Sequence, residues 1–234
     1  IEWILEKPHE ERNPMASDAG IDEILSLAAD TGVGVRSICA DYYMTELLID
    51  PQGTARPQAI DHLRSLIARA GKLSVIYIVL PLVDASSLQT EAQRSGAVRV
   101  LKDLAHHAEN AEVELHLETD LAPGIFRDML DDIGEPFVRA NFDIGNSASL
   151  GYDPTEEITI LAPWLGSVHV KDRVLGGGTV PLGTGNADLP TCFRLIRQAG
   201  FDRHFILQTA RGENGKEIEL AARNRAFIES HMAE

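Results

Sequence analysis

Four apolar runs in this 234-residue chain stop on, or just before, a side chain that can bind a cation or offer it an oxygen. They are ELHLETD (114–120), RANFDIGN (139–146), SVHVKDR (167–173) and HFILQTAR (204–211). The groups are Glu118, Asp143, His169 and Gln208. Two carboxylates, an imidazole and an amide oxygen form a donor set suited to a divalent cation such as Mn²⁺, Mg²⁺, Co²⁺ or Zn²⁺. Each also has an ordinary explanation taken singly. Glu118 can be a solvated loop residue, Asp143 can stabilise the turn that Gly145 and Asn146 imply, and His169 can be a core histidine among valines. Taken jointly they would all have to reach strand ends by accident. Gln208 is the odd member, because an amide offers oxygen but neither takes nor gives a proton at neutral pH.

Residues this far apart in sequence meet only if the fold gathers strand ends on one face. The pattern supplies such a fold. Strands are predicted over Ile1–Leu5, Val35–Asp41, Ser74–Leu80, Val113–Thr119, Val138–Asp143, Gly166–Lys171 and His204–Thr209. Amphipathic stretches lie between them at 18–32, 55–71, 95–111, 189–200 and 217–232, the first with Ser17 as N-cap and Gly32 as stop. Repeated strand–helix alternation predicts a parallel sheet with crossover helices. Its spacing fits a (β/α)8 TIM barrel one unit short, with the first strand expected before Ile1. One TIM-barrel domain over residues 1–234 is the reading. A doubly wound sheet is the alternative, and no Gly-rich phosphate fingerprint follows an early strand to support it.

Side chains alternate along a strand, so the last inward position reaches the barrel mouth. Two residues earlier, on the same strand faces, stand His116 and Asn141. Polar groups placed beneath ligands orient them by hydrogen bonding. Glu2, Asp41, Tyr42 and Tyr43 also end early strands and are candidates for the same mouth.

Composition narrows the function. Hydrophobic residues make up 44% and charged residues 24% of the chain, as in soluble globular proteins. No apolar run approaches the ~20 residues of a membrane span, so no membrane partner is expected. The net charge of −15 argues against nucleic acid, whose phosphates need clustered Lys and Arg. Cys39 and Cys192 lack metal-binding spacing and read as free buried thiols in a reducing cytoplasm.

The stretch from NFDIGN through HVKDR and PLGTGNADLPTCFRLIRQAGF to the C-terminal helix resembles the xylose isomerase-like TIM-barrel superfamily. Within it, the L-ribulose-5-phosphate 3-epimerase and hexulose-6-phosphate isomerase group is most similar. The likeness is fair over roughly 110–230 and loose before that, where IEW and RSICA agree. It implies a metal-dependent isomerase or epimerase of a sugar or sugar phosphate. Glu118, Asp143, His169 and Gln208 would hold the metal, and an enediolate would form when the α-proton leaves. Glu118 would be one acid/base. The family's second carboxylate falls at position 208, where this chain has an amide.

The resemblance further implies substrate contacts from Arg173 and Asn146. Lys171 and Asp172 are possible replacements for the missing base, with an exposed ion pair or substrate contact as the alternative for each. The glycines of VLGGGTVPLGTG (174–185) can let backbone amides approach a phosphate or serve simple turns. A small carbohydrate is the expected partner, with a homodimer or homotetramer as the family's habit. Rival readings are a lyase or dehydratase of the same superfamily, needing one base, and a catalytically weak sugar-binding relative. A DNA-repair endonuclease of the superfamily would need several clustered histidines and a basic groove, which this chain lacks.

Overall fold

The computed structural model describes residues 1–8 and 10–232, and in it the sequence alternation becomes strands and helices in turn. The chain falls into two compact units, Ile1–Leu121 with Asp128–Arg139, and Ala122–Arg127 with Ala140–Glu234. The first unit contains β1 (Glu2–Ile4), α1 (Asp18–Thr31), β2 (Ser37–Cys39), α2 (Tyr42–Thr45), α3 (Pro57–Lys72), β3 (Tyr77–Leu82), α4 (Glu91–Ala111) and β4 (Glu114–Thr119). Next come α5 (Pro123–Ile133) and β5 (Val138–Asp143), each with residues in both units. The second unit continues with α6 (Ile144–Leu150), α7 (Pro154–Leu161), β6 (Leu165–Val170), β7 (Asp172–Arg173), β8 (Thr179–Val180), α8 (Leu189–Gln198), β9 (His204–Leu207) and α9 (Glu217–Met232).

Seven strands form one sheet in the order β1-β2-β3-β4-β5-β6-β9, so neighbours in the sheet follow one another along the chain. A doubly wound sheet would reverse its order part way, and this one does not. The pairings of β1 with β2, β2 with β3, β3 with β4, β5 with β6 and β6 with β9 are all parallel.

The helices form where the sequence offers caps and an apolar stripe. Ser17 Oγ accepts from the Gly20 amide at the start of α1, and Gly32, at φ 71°, closes its end. In α8 the buried residues Leu189, Cys192, Phe193 and Ile196 follow the i, i+3, i+4, i+7 spacing of one helical face. They join Phe142, Val168 and Val170 of the neighbouring strands in the core of the second unit. No helix among the described residues is long and apolar enough to cross a membrane.

Boundaries differ from the sequence reading at informative places. The strand expected at Ser74–Leu80 runs instead over Tyr77–Leu82, because Ser74 turns the chain at φ 55° after α3. It also continues through Pro81, which pairs in register with Glu118. The strand expected to reach Thr209 ends at Leu207, although the Gln208 amide still donates to Val170 O at 3.1 Å. The short β7–β8 hairpin went unread, since its glycines look like any flexible loop.

Phe193 is 2% exposed and meets Phe205 edge-on with ring centroids 5.9 Å apart. Phe193→Ala is expected to lower stability by about 3–5 kcal/mol, measured by equilibrium urea unfolding.

Candidate metal centre

In the first unit, cross-strand register sorts one sheet face into rows. Glu2, Ser37, Tyr77 and Glu114 face one another in order, and Ile4, Cys39, Val79 and His116 form the next row. Glu118 lies one step beyond His116 on that face, opposite Pro81, and is 5% exposed. These rows are polar for a sheet interior. Ser37 Oγ donates to Glu2 Oε2 at 2.8 Å, and the Cys39 thiol donates to Asp41 Oδ1 at 3.2 Å. Burial, helped by the carboxylates of Asp41, Glu118 and Glu2, pushes the Cys39 thiol well above its ordinary range. Cys39 and Cys192 are both free and buried, as the sequence implied.

His116 is wholly buried, with its ring stacked on Tyr77 at 4.2 Å between centroids. Its Nε2 lies 2.8 Å from Glu114 Oε2, while Arg139 Nε donates to the other oxygen of Glu114 at 3.2 Å. This residue therefore belongs to a bonded layer just beneath Glu118.

In the second unit, Asp143 and His169 are register partners, as are His169 and Ile206. One row beneath, Ser167 Oγ donates to Asn141 Oδ1 at 2.7 Å. Asp143 is also the N-cap of α6, its Oδ1 accepting from the Asn146 amide at 2.8 Å. Its Oδ2 lies 2.7 Å from Lys171 Nζ and 3.8 Å from His169 Nδ1. Arg173 donates through Nη1 to Asn146 Oδ1 at 2.8 Å and through Nε and Nη2 to Gly177 O. The two residues expected to contact substrate thus hold each other.

One ligand atom from each of Glu118, Asp143 and His169 lies within 4.8 Å of the others, and all three residues are buried. Two buried carboxylates with an imidazole so near are costly unless a cation or strong donors compensate them. The donor chemistry therefore fits a divalent ion. Gln208 continues the strand alternation onto the face of Ile206 and His169, and its Oε1 is buried without a hydrogen-bond partner among the described residues. An orphan buried oxygen is what an amide ligand would present.

Other expectations change. Asp172 is fully buried, not exposed, and accepts the amides of Gly185 at 2.8 Å and Ala187 at 3.1 Å. It ties down the glycine-rich loop, and a Cβ at Gly185 would stand 2.2 Å from its Oδ1. Lys171 does form an ion pair, but a mostly buried one with Asp143. Tyr43 is fully buried and hydrogen-bonded at 2.9 Å to His62 Nδ1, whose Nε2 lies 2.9 Å from Glu10 Oε1.

Glu157 was missed altogether. Nothing in PTEEITIL marks the second of two adjacent glutamates as the buried one, yet it is 8% exposed and accepts from Ser147 Oγ. Burial drives its pKa up to about 7, with the Asp143 charge adding to the rise and the Ser147 hydroxyl opposing it.

A singly wound parallel β/α sheet with candidate ligand side chains at its strand ends defines a protein of the barrel class with a buried candidate cation site. The chain belongs to the xylose isomerase-like TIM barrel family, whose family model matches residues 1–231. L-ribulose-5-phosphate 3-epimerase UlaE of Salmonella paratyphi A is 25% identical over 218 residues, covering 90% of this chain and 76% of that protein. The solved structure of an L-ribulose 3-epimerase superimposes with a TM-score of 0.74 at 21% identity, covering 100% of this chain and 84% of that one. The IOLI protein, solved with a bound zinc atom, gives 0.77 at 17% identity, covering 97% and 87%. The resemblance read from HVKDR and its neighbours is borne out at the level of family.

The raised pKa of Glu157 has a consequence for stability. Between its ordinary value of 4.5 and about 7, the folded chain keeps a proton that the unfolded chain has released. Stability therefore falls as pH rises through this window and levels off above it, by roughly 3 kcal/mol at most. Glu157→Gln is expected to flatten that slope and to be the more stable protein at pH 8, in urea melts compared at pH 5 and pH 8.

Proposed function

We propose that this chain is a divalent-metal-dependent isomerase or epimerase acting on a sugar or sugar phosphate. The observation that carries the reading is the convergence of buried Glu118, Asp143 and His169 within 4.8 Å. Family membership and the similarity to L-ribulose-5-phosphate 3-epimerase support the substrate class.

In this reading Glu118, Asp143, His169 and Gln208 hold the ion. A bound divalent cation supplies Lewis-acid stabilisation of charge on a carbonyl oxygen when the neighbouring carbon loses its proton. Glu118 is the base that takes the proton, working from a buried position where water does not compete. Asp143 is held to one geometry by the α6 amide it caps. His116 and Asn141 lie in bonded layers under the ligands and limit how far those side chains can turn. Arg173 and Asn146 would receive substrate oxygens as a preassembled pair.

Gln208 favours a second reading for the reaction's outcome. Inverting a carbon requires a proton returned from the opposite face, and the amide cannot give one. A one-base isomerisation or a dehydration fits the residues present equally well.

Protein purified without chelator is expected to carry about one divalent ion per chain, lost in Asp143→Ala. It should also exchange solvent deuterium into a ketose or ketose phosphate; an empty site and no exchange would overturn the proposal. Gln208→Glu is expected to raise 3-epimerisation by about 10²-fold if the missing carboxylate is what limits it. An unchanged rate would show that another group returns the proton.

A further inference from the structure

The two oxygens of Asp143 are used differently. Oδ1 is committed to the Asn146 amide at 2.8 Å, so Oδ2 is the oxygen left for a cation. That oxygen already meets a cation, the Lys171 ammonium at 2.7 Å. Lys171 lies two residues beyond His169, which returns its side chain to the same face, and this side chain is only 13% exposed.

The neighbouring backbone makes room for this lysine. A Cβ at Gly145 would fall 2.7 Å from Lys171 Cγ and 2.8 Å from its Cβ. Gly145 sits inside α6, outside the left-handed region, so glycine there is required by the close approach of residue 171, whose carbonyl carbon also lies 3.0 Å from the Cβ position, and not by its own backbone conformation. Asp143, Gly145 and Lys171 are thus fitted to one another.

An ammonium and a divalent ion on one carboxylate oxygen would stand close enough to repel strongly in a site with little water. Building on the metal reading above, we propose that Lys171 is a tethered cation competing with the divalent ion for Asp143 Oδ2. Entry of the ion expels the ammonium, which then serves an anionic oxygen of the substrate. The ammonium offsets the Asp143 charge that would otherwise attract the metal, and Gln208 adds no charge to replace it. Its three donors and lack of any acceptor suit it to an oxyanion once released. The consequence is a metal held more loosely than the carboxylates alone would hold it, and a lysine whose position reports whether the metal is bound.

The test is calorimetric titration of Mn²⁺ into metal-stripped wild type, Lys171→Met and Gly145→Ala. Methionine keeps the apolar stem and removes the charge; alanine at 145 displaces residue 171, backbone included, and keeps the charge. Lys171→Met is expected to tighten the Mn²⁺ dissociation constant about tenfold, with Gly145→Ala moving it the same way by less. In reductively ¹³C-methylated wild type, the Lys171 signal, identified by its loss in Lys171→Met, is expected to shift on adding Mg²⁺. Should Lys171→Met fail to fold, Lys171→Gln takes its place in both measurements and decides. Binding by wild type that is not tightened in either variant overturns the competition and leaves the metal reading standing. Failure of all three proteins to bind Mn²⁺ overturns both.

Discussion

Keeping the Asp143 carboxylate charged while excluding water from it is the constraint on which the second unit depends. A buried carboxylate is tolerated only when its oxygens are bonded and its charge is met. One oxygen is met by the amide that begins α6, which places the helix directly after β5. The other is met by Lys171, which needs glycine at position 145. Register then puts His169 beside both. A short helix start, a glycine, a lysine and a histidine are all explained by one anion.

The sheet interior shows the same economy in layers. Beneath Asp143 and His169, Asn141 and Ser167 satisfy each other; beneath Glu118, Glu114 bonds both His116 and Arg139. Polar groups in such numbers would usually weaken a core, but here these are spent on a neighbour in the same or the next row. On the opposite strand faces of the second unit, Phe142, Val168 and Val170 meet α8 in an apolar core. The division of labour follows from the two-residue period of a strand.

That period is also why so much could be read from sequence. Strand ends at Glu118, Asp143 and His169 were visible because apolar runs stop on them, and helix α1 because Ser17 and Gly32 mark both its ends. What stayed hidden depends on contacts made across the chain. Asp172 looks like any charged residue next to a lysine until the loop folds back and offers it two amides. Glu157 has the same helical context as exposed Glu156, and only the approach of Ser147 sets it apart. The strand expected to stop at Leu80 runs on through Pro81, which its place in β3 tolerates. Local pattern reveals elements and their faces; which polar groups are buried is a tertiary fact.

The grip of Asp172 on Gly185 and Ala187 closes residues 174–184 into a loop with anchored feet. Its near foot is Arg173, which clasps Gly177 and Asn146. Between those feet the loop is pinned twice more, by the Gly177 carbonyl under Arg173 and by buried Leu182 in the core of the second unit. Its turn around Leu175 and Gly178 stands exposed, so the loop behaves as a stapled flap with a short exposed tip and not as a loose connection.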